Sequence, residues 1–93
     1  MKKGNSKTSK QLERYFKGVA NHRRISILIL IIKNPNITLE QIAEGIDCNI
    51  KTTSEHTRRL VQAGLVNKSY NGRNVEHVCS PYGKRFCDFI TNF

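Results

Sequence analysis

The chain has no tryptophan, three cysteines and seven acidic residues among its 93, and its one strongly apolar run, Ile25–Ile32, is eight residues long. Each shortage excludes something. An odd number of cysteines without a Cys-x-x-Cys pair argues against a disulfide framework and for a reducing compartment. The apolar run is far too short to cross a bilayer. The basic N-terminus lacks the apolar segment that follows it in a signal peptide. A cytoplasmic protein that needs no membrane is therefore expected. The acids are scattered, no glycine-rich phosphate loop is present, and a domain of this size has little room for an enclosed pocket. An enzyme is not expected. Cys48, Cys79 and Cys87 share no short-range ligand spacing with one another or with His56 and His77, so neither a metal nor another cofactor is expected.

What is abundant is positive charge. Sixteen Lys and Arg against the seven acids give a formal net charge of +9, which points to a polyanionic partner. Lys2, Lys3, Lys7 and Lys10 place part of that charge near the N-terminus. Residues 1–8 lack periodicity and read as a disordered basic arm, leaving residues 9–93 as a single domain. Within that domain the charge is segregated: Lys51, Arg58, Arg59, Lys68 and Arg73 face only Glu55 between residues 51 and 73, whereas residues 38–47 carry Glu40, Glu44 and Asp47 with no base.

The patterning predicts a mainly α chain with a small β-hairpin. Helices are expected at about 9–20, 22–34, 38–46 and 50–63, strands at about 65–70 and 74–79, and a last helix at about 81–92. Leu12, Tyr15, Phe16 and Val19 recur at helical spacing. Asn21 is placed to cap the second helix, whose apolar residues surround it and predict burial on all sides, within the core or with one side at a subunit contact. Thr38 with Gln41 forms a capping box, Asn49 is an N-cap and Gly64 a C-cap. Asn71-Gly72 is a hairpin signal because both residues accept positive φ. Ser80-Pro81 supplies an N-cap followed by Pro at the first helical position. Tyr82, Phe86, Phe89, Ile90 and Phe93 then form one aromatic stripe.

At 100° per residue the 50–63 helix has two unlike faces. Ile50, Thr53, Thr57, Leu60 and Val61 gather on one side. Lys51, Thr52, Glu55, Arg58, Arg59 and Gln62 lie opposite, with Ser54 and His56 on the flanks. Arg, Lys and Gln are the types that read base edges in a major groove, and Thr and Ser bond phosphates. Lys68 and Arg73 add cations on the hairpin. Double-stranded DNA is the partner this pattern implies.

The stretches Ala20-Asn-His-Arg-Arg-Ile-Ser-Ile-Leu28, Leu39-Glu-Gln-Ile-Ala43, Thr53-Ser-Glu-His56 and Leu60-Val-Gln-Ala-Gly-Leu-Val66 carry a resemblance to the winged helix-turn-helix of the ArsR-like transcriptional regulators, over residues 12–80. Ser80-Pro-Tyr-Gly-Lys-Arg-Phe86 is closer to the opening of the last helix in MarR-like proteins. The resemblance implies a dimeric DNA-binding regulator, with the helix beginning at Asn49 in the major groove. Lys51, Thr52, Ser54, Glu55 and Arg58 would lie nearest the DNA, with Arg73 at the wing tip. It also implies terminal helices packed across a two-fold axis, for which the chain offers Leu12, Tyr15, Phe16 and Val19, and Phe86, Phe89, Ile90 and Phe93.

The sequence departs from the family in places. The Cys-x-Cys of its metal sensors is missing, and only Cys48 stands near that region. Thr53 and Thr57 replace aliphatic residues; their hydroxyls are expected to bond carbonyls one turn back. Asp47 stands where the turn often has Gly, and tolerates the left-handed conformation. Glu55 sits among phosphate-facing positions and is expected to pair with Arg59 one turn on, or else to accept from a cytosine amine. Two other functions fit the same features, a protein-interaction or assembly module and a sequence-tolerant architectural DNA binder.

Overall fold

The computed structural model describes residues 7–93. In chain order the elements are α1 (Ser9–Val19), α2 (His22–Lys33), β1 (Ile37–Thr38), α3 (Leu39–Gly45), α4 (Ile50–Gln62), β2 (Val66–Asn71), β3 (Asn74–Cys79) and α5 (Pro81–Thr91). Of the stretch expected to be a disordered arm, residues 1–6 lie outside the described residues. Thr8 caps α1, its hydroxyl accepting from Gln11 N–H while the Gln11 side chain accepts from Thr8 N–H. Lys7 lies over the Tyr82 ring and donates to its hydroxyl at 2.9 Å.

Local capping chemistry starts four further helices. Asn21 Oδ1 accepts from Arg23 N–H and Arg24 N–H, Thr38 and Gln41 close a reciprocal box, Asn49 Oδ1 accepts from Thr52 N–H, and Ser80 Oγ accepts from Gly83 N–H. Each bond satisfies amides that a helix leaves orphaned in its first turn. Gly64 sits just beyond the end of α4 at φ +81°, the left-handed position that closes a helix.

The β-branched run of α2 is helical, but only one face is fully buried. Ile27, Leu28 and Ile31 are at most 1% exposed. Ile25, Ile29, Leu30 and Ile32 are half-buried, because no element covers that side completely. Within the single chain the helix is therefore not buried all round. Ile27, Leu28 and Ile31 meet Ile42 of α3, Leu60 of α4, Leu65 and Val66 in one core with Val19, Cys79 and Cys87.

The expected two-stranded hairpin is the larger part of a three-stranded antiparallel sheet in the order β1-β3-β2. β1 pairs Ile37 with His77 and Thr38 with Glu76. Asn36, at φ 72°, turns the chain into it and donates its N–H to the His77 carbonyl at 2.9 Å. The buried His77 ring binds back, Nδ1 lying 3.0 Å from the Ile37 carbonyl. The hairpin loop is one residue later than expected. Asn71 pairs with Asn74, so Gly72 and Arg73 make the turn, and of the hairpin residues only Gly72 has positive φ. That is the pattern of a loop with Gly at its first central position.

On α5 the buried residues are Gly83 and Cys87, one turn apart, rather than the aromatic stripe. Phe86 is half-buried against the rim of the core, with its ring 5.2 Å from that of Phe16. Val19 is core, so it is not available as contact surface for a second chain. Phe16, Phe89 and Phe93 remain exposed.

The inner face of α4 shows what its two threonines cost. Thr53 is fully buried and its Oγ1 donates to the Asn49 carbonyl at 2.8 Å, the bond one turn back that was expected. Thr57 Oγ1 is buried with no hydrogen-bond partner, contrary to that expectation. An unpaired buried hydroxyl costs roughly 1–3 kcal/mol. Thr57→Val keeps the branched shape and removes the hydroxyl. It is expected to raise stability by about 1 kcal/mol, visible in urea unfolding as a later midpoint at unchanged slope. A lower midpoint would show that the hydroxyl is used.

Candidate nucleic-acid interface

α3, a turn and α4 form a two-helix unit. Asp47 makes the turn at φ 52°, as its tolerance of the left-handed region predicts, and Cys48 N–H donates to the Ala43 carbonyl at 3.0 Å. Ile42 and Ala43 of α3 and Thr53, Thr57 and Leu60 of α4 are buried. The opposite face of α4 is thereby fixed outward: Lys51, Ser54, Glu55, Arg58, Arg59 and Gln62 are exposed. Thr52, whose backbone N–H donates to the Asn49 cap, is half-buried.

Four of the residues singled out in the sequence come together. Ser54 and Arg58 of α4, Lys68 of β2 and Arg73 of the hairpin loop line one concavity between helix and wing, with Glu40 and Asn74 on its rim. Glu40 and Asn74 were not picked from the sequence; neither residue type stands out on a short helix or at a strand start. His56 is turned aside, half-buried, toward the start of α2. Burial, and then the positive charges of Arg24 and Arg23, hold its pKa below the ordinary histidine value. Arg59 and Gln62, at the far end of α4, line a different groove with Lys10, Arg14, Lys17 and Arg24.

Glu55 bonds Arg58 one turn on, and Arg59 Nε lies 3.4 Å from the same carboxylate oxygen. The expected partner, Arg59, is thus the more distant of two. The Arg58 hydrogen bond lowers the Glu55 pKa, and the carboxylate raises that of Arg58. Being exposed, these pairs contribute little to stability. Their effect is orientation, since a shared carboxylate holds two guanidinium groups side by side on the outer face.

Cys79 and Cys87 are poorly placed for redox chemistry. Cys79 and Cys87 are buried, with each thiol directed at the Leu28 carbonyl, 3.7 and 3.8 Å away. Burial pushes the Cys79 pKa up to about 12 and raises that of Cys87, which leaves almost no thiolate at neutral pH. Among the described residues no three His, Cys, Asp or Glu side chains are grouped so as to hold a metal ion. No described helix is long and apolar enough to cross a membrane.

A helical core, a two-helix unit with its second helix displayed, and a wing beside that helix define a winged helix-turn-helix protein. The MarR family model matches residues 20–74, from the start of α2 into β3. The chain belongs to the MarR family, whose winged-helix members are transcriptional regulators. The matched span lies within residues 12–80, over which the sequence resembles ArsR-like proteins, and it ends before the Ser80-Pro-Tyr-Gly stretch that suggested MarR.

Solved structures agree on the fold. HlyU from Vibrio cholerae N16961 superposes with a TM-score of 0.83 at 22% identity, over 95% of this chain and 96% of that one. The DNA-binding domain Mb0332 from Mycobacterium bovis, described as homodimeric and as a possible ArsR-family regulator, gives 0.80 at 23% identity over 95% and 87%. NolR from Sinorhizobium fredii gives 0.82 at 14% identity over 99% and 95%. A search among curated proteins finds no match.

Proposed function

We propose that the chain is a dimeric transcriptional regulator that inserts α4 into the DNA major groove and lays the β2–β3 wing on the adjacent backbone or minor groove. The observation that carries this reading is the concavity shared by Ser54, Arg58, Lys68 and Arg73. Helix and wing there present cations and a hydroxyl toward one space, with the buried face of α4 fixing their direction. Lys51 extends the cationic surface at the exposed N-terminal end of the helix. Arg58 and Arg59, held side by side by Glu55, suit base edges or paired phosphate oxygens. Glu55 acts through them rather than as a base reader. Lys68 and Arg73 are phosphate contacts, and Arg73 at the loop tip is placed for a minor groove.

Dimerisation would use the aromatic residues left exposed on α1, on α5 and just after it: Phe16, Phe89 and Phe93, with Leu12, Tyr15, Phe86 and Ile90 around them. That Mb0332 is described as homodimeric supports dimerisation as such. The protein would work in the cytoplasm, on double-stranded DNA.

Selection of bound duplexes from a random pool, followed by binding measurements across a salt series, tests the function. A regulator is expected to enrich a pseudo-palindromic site whose half-sites lie about one helical turn, or a multiple of it, apart. Binding to that site should be at least about 1,000-fold tighter than to random duplex. Equal affinity for all duplexes with a steep salt slope would make the chain an architectural binder. No binding at low salt would make it a protein-interaction module.

A further inference from the structure

The groove where α1 meets the C-terminal end of α4 is a second cationic surface, and neither the recognition helix nor the wing accounts for it. Its lining brings Lys10, Arg14 and Lys17 of α1 together with Arg24 of α2 and Arg59 of α4, against the single carboxylate of Glu13. Three helices converge here because Gly18 lets α1 press on the end of α4: a Cβ at position 18 would lie 2.3 Å from the Ala63 Cβ.

We propose that this groove holds DNA backbone phosphates beside the segment that α4 contacts. The proposal rests on the DNA-binding reading above. Three observations support it. Arg24 is half-buried and its Nε is buried without a hydrogen-bond partner. A desolvated guanidinium N–H without an acceptor is costly, and phosphate oxygens fit the arginine fork. Next, the one acid present offers little competition. Glu13 pairs with Lys17 at 3.1 Å, but both are largely exposed, so the pair is weak and exchanges readily for a phosphate. Finally, Arg59 belongs both to this groove and to the outer face of α4, with Gln62 beside it, so a polyanion lying on α4 runs into the groove without a gap. The groove is open and its cations are spread along a helix, which suits an extended backbone better than a small anion.

The test uses the full chain with Lys10, Arg14 and Lys17 all replaced by Gln. All three are exposed, and Gln is a good helix former, so the fold should persist, as circular dichroism would confirm. A second variant, Lys33→Gln with Lys84→Gln, removes exposed cations that line neither this groove nor the concavity under the wing. Affinity for selected and random duplexes is measured across a salt series. The α1 variant is expected to lose two to three from the magnitude of the salt slope, at about 0.9 per phosphate contact, and to weaken on both duplexes by the same factor. The Lys33/Lys84 variant should keep the wild-type slope. An α1 variant with the wild-type slope would overturn the proposal. So would the same loss per charge removed in the Lys33/Lys84 variant, which would reduce the effect to net charge, or a loss confined to the selected duplex, which would mean base reading. If the wild type itself binds no duplex at low salt, the DNA-binding reading falls first and this proposal with it.

Discussion

Gly83→Ala is expected to destabilise the domain by about 3 kcal/mol, at the upper end for overpacking, lowering the melting temperature by on the order of 15 °C for a chain of this size. Helix propensity alone predicts the opposite, since Ala is better than Gly in a helix by roughly 1 kcal/mol. The clash decides the sign. A Cβ at position 83 would lie 2.0 Å from the Leu65 carbonyl oxygen and 3.0 Å from its carbon. That oxygen cannot move aside freely, because it accepts from Ser80 N–H at 3.0 Å while Ser80 Oγ donates to the Gly64 carbonyl at 2.6 Å. The first turn of α5 is thus bonded to the junction that follows α4, and a methyl group there must separate the two. Gly45 offers the contrast. A Cβ there meets Leu30 Cδ2 at 2.6 Å, the end of a side chain, which can rotate, so Gly45→Ala should cost much less. Thermal and urea unfolding of both variants would decide the matter. A Gly83→Ala protein as stable as the wild type would mean that α5 does not dock as described.

Why Gly83 matters could not be read from the sequence. The most visible periodicity of residues 81–93 is aromatic, and it does not mark the face that packs on the core. The face that packs is Gly83 and Cys87, chosen by how closely the backbones approach, which hydrophobicity does not report. β1 escaped for a related reason. Two residues carry no alternation, and Ile37–Thr38 becomes a strand only because Asn36 turns the chain onto His77, forty residues away in sequence from Ile37. Features set by neighbours along the chain were legible instead. The caps at Asn21, Thr38, Asn49 and Ser80 depend on a side chain two or three residues from its amide, and the left-handed turn at Asp47 depends on one residue.

The candidate interface divides along the same line. The outward face of α4 follows from helical geometry once Thr53, Thr57 and Leu60 turn inward. That Arg73 and Lys68 share a concavity with Ser54 and Arg58 follows from how the hairpin leans on α4, which no local pattern encodes. The groove joining Lys10, Arg14 and Lys17 to Arg24 and Arg59 is further still from the sequence, because three helices must pack before it exists. Net charge points only to a polyanion, and the fold is what divides that charge between two surfaces.

Phe89→Glu is expected to yield a folded monomer whose affinity for a two-half-site duplex falls by about 100-fold or more. The side chain is 62% exposed, and its ring lies 5.5 Å from that of Phe93, which is itself almost fully exposed. Phe89 therefore contributes little to the core, and a Glu here should leave circular dichroism and melting temperature near the wild-type values. In a two-fold interface each residue occurs twice, so the substitution introduces two carboxylates into one contact. Burying even one unpaired charge costs several kcal/mol, more than the apolar area lost. Loss of the dimer removes the tether between half-sites, which converts one strong binding event into two weak independent ones. Sedimentation across micromolar concentrations, with the same samples titrated onto duplexes carrying one or two half-sites, gives both readouts. The variant should match the wild type on one half-site and fall behind only on two. A variant that stays fully dimeric would place the two-fold contact elsewhere on the surface, whereas a monomeric variant that still favours the two-half-site duplex would show that neighbouring monomers cooperate only once they are on DNA.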